Sequence, residues 1–344
     1  MRPTPTRAKT GATVPLTHDI ESAAAALGAG KLVAFPTETV YGLGADAENV
    51  AAVARIFAVK GRPANHPLIV HIASAQELPR WASHVPETAW RLAEAYWPGP
   101  LTLLLRRGAR VPAETTGGLD SVGLRVPAHP VALELLRRFG GGVAAPSANR
   151  FGRVSPTSAQ HVLEDLGEDV DLLLDGGRCR VGVESTILDL TGDVPVLLRP
   201  GGVGAAELES LLGVTLSRRA PANVRAPGML ASHYAPDARV ELVPTRRLAE
   251  RAHELALAGQ RVSVLVGNVD DRTALAQLSN VRLLDLGASD EDAAQRLYSA
   301  LRQADVDGAD VVLASPPVTE HARGIAEALA DRLMKAAGPR TTHR

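Results

Sequence analysis

The sequence contains a single cysteine, Cys179. That excludes an internal disulfide framework and a cysteine-ligated zinc site, and it points to a reducing cytoplasm. No apolar run approaches the ~20 residues that a bilayer-spanning helix needs. The stretch Met1 to Val14 has Arg, Lys, Thr and Pro but no apolar centre, so it does not read as a secretory signal. Residues 1–14 are expected to be a disordered lead-in. The formal net charge of −1 gives no global drive towards nucleic acid or membrane, so any RNA contact would need a local patch. Several motifs are also missing. Gly28-Ala29-Gly30-Lys31 lacks both the spacing and the following hydroxyl of a phosphate-binding loop. There is no His-Glu-x-x-His, no Gly-x-Ser-x-Gly and no Gly-x-Gly-x-x-Gly turn. Aromatics are few, at 3%, and with the Arg- and Ala-rich composition they are attributed to genome base composition.

What is present is a chain of 344 residues with 45% apolar and 22% charged content, an ordinary globular balance. Cores stop growing near ~250 residues, so two domains are expected. Thr17 reads as the cap of a helix over about 18–29, followed by a strand over 32–35 and a hydroxyl- and glycine-rich loop from Pro36 to Gly44. A helix capped at Asp46 or Asn49 runs to about Val59. Strands follow at 67–72, 101–105 and 121–126, with helices at 75–82, 87–96 and 129–139. Ser155-Pro156 reads as a cap opening a helix to about Leu166. Short strands at 171–174, 185–190 and 195–199 and a helix over 205–212 complete an irregular, mixed α/β half. Periodicity is lost from Ser217 to Pro236, where Pro221, Pro227, Gly228 and Pro236 mark a linker that nevertheless holds His233 and Tyr234. Beyond it, strands at 239–243, 261–266, 281–285 and 310–314 alternate with helices at 245–258, 271–278, 289–305 and 319–336. That regular alternation predicts a small parallel-sheet domain of Rossmann-like topology.

The organising stretch is Phe57-Ala58-Val59-Lys60-Gly61-Arg62-Pro63. Lys9, Lys31, Lys60 and Lys335 are the only lysines, yet Lys60 stands two residues before Arg62. A compact ammonium beside a planar fork suits phosphate oxygens, whereas the plain alternative is a solvated helix end with favourable cations. Thr39, Lys60, Arg62, His71, Arg125, Ser147, Asn149, Ser155, Ser185 and Arg199 are all read as falling at the ends of strands, where open α/β sheets bind ligands. Each has a dull explanation: Ser147 and Asn149 form turns, His71 closes a strand, and Arg125 pairs with a buried carboxylate. Cys179, between two arginines, reads as a passive residue. Together these residues supply cations and hydroxyl and amide donors, but no evident nucleophile. The set fits an enzyme that binds a nucleotide or other polyanion and positions reactants.

Seven blocks in order carry a resemblance: FPTETVYGLGA at 35–45, KGRPANHPLIVHI at 60–72, WPGPLTLLL at 97–105, VGLRVP at 122–127, APSANRFGRVSPTS at 145–158, STILDL at 185–190 and LRPGGV at 198–203. They resemble the YrdC-like family, and APGMLASHYAP at 226–236 with the α/β segment after it resembles its two-domain form. The resemblance implies an open, twisted, mixed α/β sheet over 15–216 as the catalytic domain, a linker or lid over 217–236, and a smaller Rossmann-like parallel α/β domain over 237–340. It implies synthesis of threonylcarbamoyl-AMP from L-threonine, bicarbonate or CO2, and ATP, with release of pyrophosphate. A separate tRNA threonylcarbamoyl-transferase complex would use the product beside the anticodon. By the same resemblance, Thr39, His71, Arg125, the backbone at Ala145, and Ser185 hold threonine. Arg62, His66, Ser121, Ser147, Ser155, Arg199 and Tyr234 contact ATP, and Lys60, Arg62, Ser147 and Asn149 form the catalytic signature. Mg2+ is implied with the ATP; its ligands are not.

Two departures stand out: Leu230 and Ala231 replace a common lysine and aromatic, and His66 stands where Asn is frequent. Two other readings remain. An RNA-binding module is disfavoured by the near-zero net charge. A carbamoyl-transfer enzyme of hydrogenase maturation is disfavoured because a single cysteine leaves no zinc-finger segment.

Overall fold

The computed structural model describes residues 14–219, 225–229, 233–267, 275–317 and 324–339. The expectations for residues 1–13, for Pro221, for Leu230 and Ala231, and for the starts of the helices predicted at 271 and 319 lie outside the described residues.

Ten short strands build the first sheet: β1 (Leu16–Thr17), β2 (Val33–Phe35), β3 (Gly42–Asp46), β4 (Ile69–His71), β5 (Leu101–Arg106), β6 (Ser121–Arg125), β7 (Val143–Ala144), β8 (Leu172–Leu174), β9 (Thr186–Asp189) and β10 (Val196–Arg199). Their order is β1-β8-β2-β3-β7-β4-β6-β5-β9-β10. Parallel pairs such as β4 with β6 occur beside antiparallel ones such as β5 with β6, so the sheet is mixed. Its strands read as apolar runs because both faces are covered. Val33 and Phe35 pack with the helices Ile20–Gly28 and Pro130–Phe139, while Ala34 faces the core of helix Val50–Lys60.

Three local expectations are corrected. Asp19, not Thr17, caps the first helix by accepting from the Glu21 N–H at 3.0 Å; Thr17 instead accepts from the Asp19 N–H at 2.9 Å. The loop expected to run to Gly44 ends at Tyr41, and Gly42–Asp46 forms β3. Glycine is a poor strand former, but a Cβ at Gly44 would lie 2.8 Å from both Phe35 and Val143, so only glycine lets the sheet pack there. The helix expected from Ser155-Pro156 begins at Ala159, capped by Ser158. The Ser155 hydroxyl is committed elsewhere, donating to Glu184 at 2.6 Å.

The second sheet is wholly parallel: β11 (Arg239–Leu242), β12 (Val262–Val266), β13 (Val281–Asp285) and β14 (Val311–Ala314), in the order β11-β14-β12-β13. The two sheets do not stand apart. Val40, Val154 and Val183 of the first half share an apolar cluster with Tyr234 of the linker and with Leu297, Tyr298 and Leu329 of the second half. Arg302 bridges the same boundary, donating to both carboxylate oxygens of Asp165, at 2.9 and 2.6 Å. Among the described residues, no helix is long and apolar enough to cross a membrane.

Candidate active site

The parallel strands β4 and β6 end side by side, with His71 and Arg125 as register partners. Across β5, Ser185 enters β9 and Arg199 closes the antiparallel β10. These strand-end positions surround a cleft that also takes in Thr39, Arg62, Ala145 and Ser147. Pro227, Gly228, His233 and Tyr234 of the linker roof it, leaving a cavity of about 50 Å³.

One end of the cleft is built on Arg125. Its Nη2 donates to Glu38 at 2.6 Å and to the Thr39 hydroxyl at 2.9 Å, and its Nε donates to the Gly99 carbonyl at 3.2 Å. The other carboxylate oxygen of Glu38 is buried with no protein partner. The plain reading of Arg125, a pair with a buried carboxylate, therefore holds, beside the ligand role that the resemblance implies. Burial and, after it, Arg125 push the His71 pKa down to about 3, so its imidazole is neutral, and its Nδ1 has no partner. The Ala145 N–H is committed to the Ile69 carbonyl, at 2.9 Å. The Ser185 hydroxyl lies 2.8 Å from that of Thr102 and accepts from Arg199 Nη2 at 3.0 Å.

The other end is cationic. Helix Val50–Lys60 stops because Gly61 adopts φ 63°, a left-handed turn that returns the chain to the sheet. Lys60 is not a solvated helix end. It is buried and donates to the carbonyls of Ser147 and Asn149, both at 2.5 Å. Burial, then the neighbouring Arg62, depress its pKa well below the ordinary lysine value. Arg62 lines the cleft, donates to the Pro67 carbonyl at 2.9 Å, and keeps its Nε buried without a partner. Burial lowers its pKa to about 10. Asn149 turns its amide to the carbonyls of Arg150 and Arg153, at 3.0 and 2.8 Å, and braces the loop from inside.

Of the expected site residues, Thr39, Arg62, His71, Arg125, Ala145, Ser147, Ser185, Arg199 and Tyr234 line the cleft together. Lys60 and Asn149 support its floor. Ser155 reaches it through Glu184, while His66 packs edge-on against Phe151 beyond the lining. Ser121 opens β6, at the opposite end from Arg125, and does not line this cavity.

Sequence reasoning missed the carboxylates Glu38 and Glu184 and the arginine that pairs with the latter. Glu184 accepts from Ser155, from Tyr298 at 2.8 Å and from Arg332 at 2.7 Å. Burial alone would raise its pKa, but Arg332, Arg199 and these hydrogen bonds outweigh it and hold the value at about 2. A signal was available: Arg332 sits on the apolar stripe of its helix, between Leu329 and Leu333.

Residues 25–201 match the family model described as Telomere recombination, which covers the Sua5, YciO and YrdC proteins. Residues 203–338 match the model of the threonylcarbamoyl-AMP synthase C-terminal domain. The threonylcarbamoyl-AMP synthase of Pyrococcus abyssi is 45% identical over 93% of this chain and 94% of its own length. The chain belongs to the threonylcarbamoyl-AMP synthase family. The enzyme of that name from Bacillus subtilis is 41% identical over 93% of both chains. The crystal structure of P. abyssi Sua5 complexed with L-threonine aligns with a TM-score of 0.86 at 42% identity, covering 94% of this chain and 97% of that one. A second P. abyssi Sua5 structure, with an adjacent histidine and tyrosine both changed to alanine, aligns at 0.85 with 41% identity, over 94% and 96%.

Proposed function

We propose that this chain synthesises threonylcarbamoyl-AMP from L-threonine, bicarbonate or CO2, and ATP, releasing pyrophosphate. The observation that carries this reading is the cleft itself. Three buried cations, Arg62, Arg125 and Arg199, converge with hydroxyls on one small cavity, over a loop held by the buried Lys60, in a chain of this family. Residues 15–216 form the catalytic domain, 217–236 the lid, and 237–340 the second domain. Threonine lies at the Arg125 end, where the guanidinium takes its carboxylate and Thr39, His71, Ala145 and Ser185 hold the rest. That a related protein was crystallised with L-threonine supports the assignment. ATP lies at the Arg62 and Arg199 end, with Lys60, Ser147 and Asn149 shaping the loop under its phosphates and His66, Ser121, Ser155 and Tyr234 around it.

The chemistry needs no protein nucleophile. The free amine of threonine adds to CO2 to give a carbamate anion, and the proton the nitrogen loses goes to solvent. A carbamate oxygen then attacks the α-phosphorus, and the bond to pyrophosphate breaks. Arg62 and Arg199 offset charge on the departing group, a preorganised electrostatic role. Mg2+ enters as a partner of the ATP. Glu38 and Glu184 are already paired with arginines, and among the described residues no group of three or more His, Cys, Asp or Glu can hold a metal. The described residues therefore offer no carboxylate or histidine cluster for a resident ion. The product would pass to a tRNA threonylcarbamoyl-transferase complex in the cytoplasm.

The test is to incubate purified protein with ATP, threonine, bicarbonate and Mg2+ and to follow pyrophosphate. Release that depends on both threonine and bicarbonate is expected. Release independent of either would remove this reading in favour of a simple ATPase.

A further inference from the structure

The second domain reaches into the cleft through one side chain. Arg332, on helix Ile325–Ala336, has no solvent exposure. Its Nε donates to Glu184 Oε2 at 2.7 Å, its Nη2 to the Pro200 carbonyl at 3.0 Å, and its Nη1 to Asp331. Its guanidinium also lies over the ring of Tyr234, 5.0 Å from the centroid. Tyr298, on helix Asp290–Val306, donates to the same Glu184 oxygen at 2.8 Å and stacks on Tyr234, with centroids 5.7 Å apart. The linker is tied to the same helix by its backbone, since the His233 N–H donates to the Lys335 carbonyl at 3.3 Å.

Each contact holds a different part of the site. Glu184 fixes Ser155 and immediately precedes Ser185, whose carbonyl and hydroxyl both accept from Arg199 at 3.0 Å. Pro200 follows Arg199, and Tyr234 belongs to the roof. A buried ion pair is poor evidence of stabilisation, because an apolar pair of similar volume does as well or better. A planar fork that meets a carboxylate, a carbonyl and an aromatic face at once is specific geometry that only arginine provides.

We propose that Arg332 is a positioning residue of the adenylation site: it holds Glu184, Pro200 and the Tyr234 ring in the closed arrangement, so that the second domain completes the nucleotide half of the cleft. The inference rests on the reading that the cleft takes ATP. It also assigns the second domain a share in catalysis beyond carrying the linker.

The experiment uses the full chain and the neutral pair Arg332→Met with Glu184→Gln, which avoids leaving a buried charge unpaired. Tyr298→Phe, which keeps the ring and removes only the hydroxyl, is the mild companion. Three quantities are read: the KM for ATP, threonine affinity by calorimetry without ATP, and the rate of protease cleavage within 217–236. The neutral pair is expected to raise the ATP KM roughly 10-fold or more, to leave threonine affinity within about 3-fold, and to speed linker cleavage about 5-fold or more. Tyr298→Phe should move ATP and cleavage in the same direction by about 3-fold. A neutral pair with wild-type ATP KM and wild-type linker protection would overturn the proposal. So would equal losses for ATP and threonine with a lowered melting temperature and unchanged linker cleavage, which is the signature of a structural residue alone. Should the wild type release no pyrophosphate, the synthase reading fails; ATP calorimetry and linker cleavage in the same variants still decide the role of Arg332.

Discussion

The ammonium of Lys60 stands 2.5 Å from the carbonyl oxygen of Ser147 and the same distance from that of Asn149. The helix end and the Ser-Ala-Asn loop are thus one unit, joined by the lysine. Before any contact with phosphate is considered, Lys60 sets the shape of the loop that faces the cleft.

Lys60→Ala removes that donor and leaves buried carbonyls unpaired. Turnover is expected to fall at least ~100-fold, on the scale of losing one preorganised electrostatic group. Stability should fall by about 1–3 kcal/mol, the cost of orphaned buried acceptors, read by urea unfolding. Lys60→Arg should not restore the rate, because a guanidinium cannot place one compact charge between two carbonyls. A near-normal rate in Lys60→Ala would return Lys60 to a passive helix-end role.

Arg125→Met leaves Glu38 buried and unpaired, with both carboxylate oxygens lacking a cation. The expected loss is about 3–5 kcal/mol of unfolding free energy, as for a broken buried pair. Adding Glu38→Gln should recover more than half of it. Threonine binding should not recover with it, because the carboxylate fork is still missing. Calorimetry with threonine separates the two effects.

Gly228 adopts φ +83°, and a Cβ there would lie 2.5 Å from the Tyr234 hydroxyl. Gly228→Ala is therefore expected to displace Tyr234 from the roof. The ATP KM should rise by roughly 10-fold while threonine affinity changes little. A wild-type KM would show that the position of Tyr234 is not tied to ATP.

His71 and His233 are buried, and burial holds both near pKa 3 against an ordinary 6.5. The unfolded chain therefore binds more protons between those values, so stability is complete above about pH 6.5 and is lost as pH falls towards 3. At pH 5 each histidine should cost on the order of 2 kcal/mol relative to pH 7. Glu184, held at about 2 against 4.5, adds a second loss only below about pH 4.5. Urea midpoints should fall between pH 7 and pH 5, and His71→Gln should flatten that slope. Equal midpoints at both pH values would contradict neutral buried imidazoles.

Much of the fold and half of the site were legible because they depend on local rules. The apolar strands, the helix over Ala205–Leu212 and the parallel second sheet follow from hydrophobic pattern and turn residues. Lys60, Arg62, Arg125 and Arg199 were visible as cations, and His71 as a polar residue, placed where strands and helices end.

The sequence alone determined most of the helices and apolar strands, though not β1 or β3, and which cations and hydroxyls are available to a nucleotide-binding cleft. It also carried the motifs that mark the family. Only the tertiary structure decided that Lys60 turns inward to the Ser147–Asn149 loop, that Glu38 pairs with Arg125, and that Arg332 reaches Glu184 across 148 positions of chain. Those pairings are set by burial: once a charge is removed from water it must find a partner in space. Periodicity along the chain says which face a residue occupies, but not which distant face it meets.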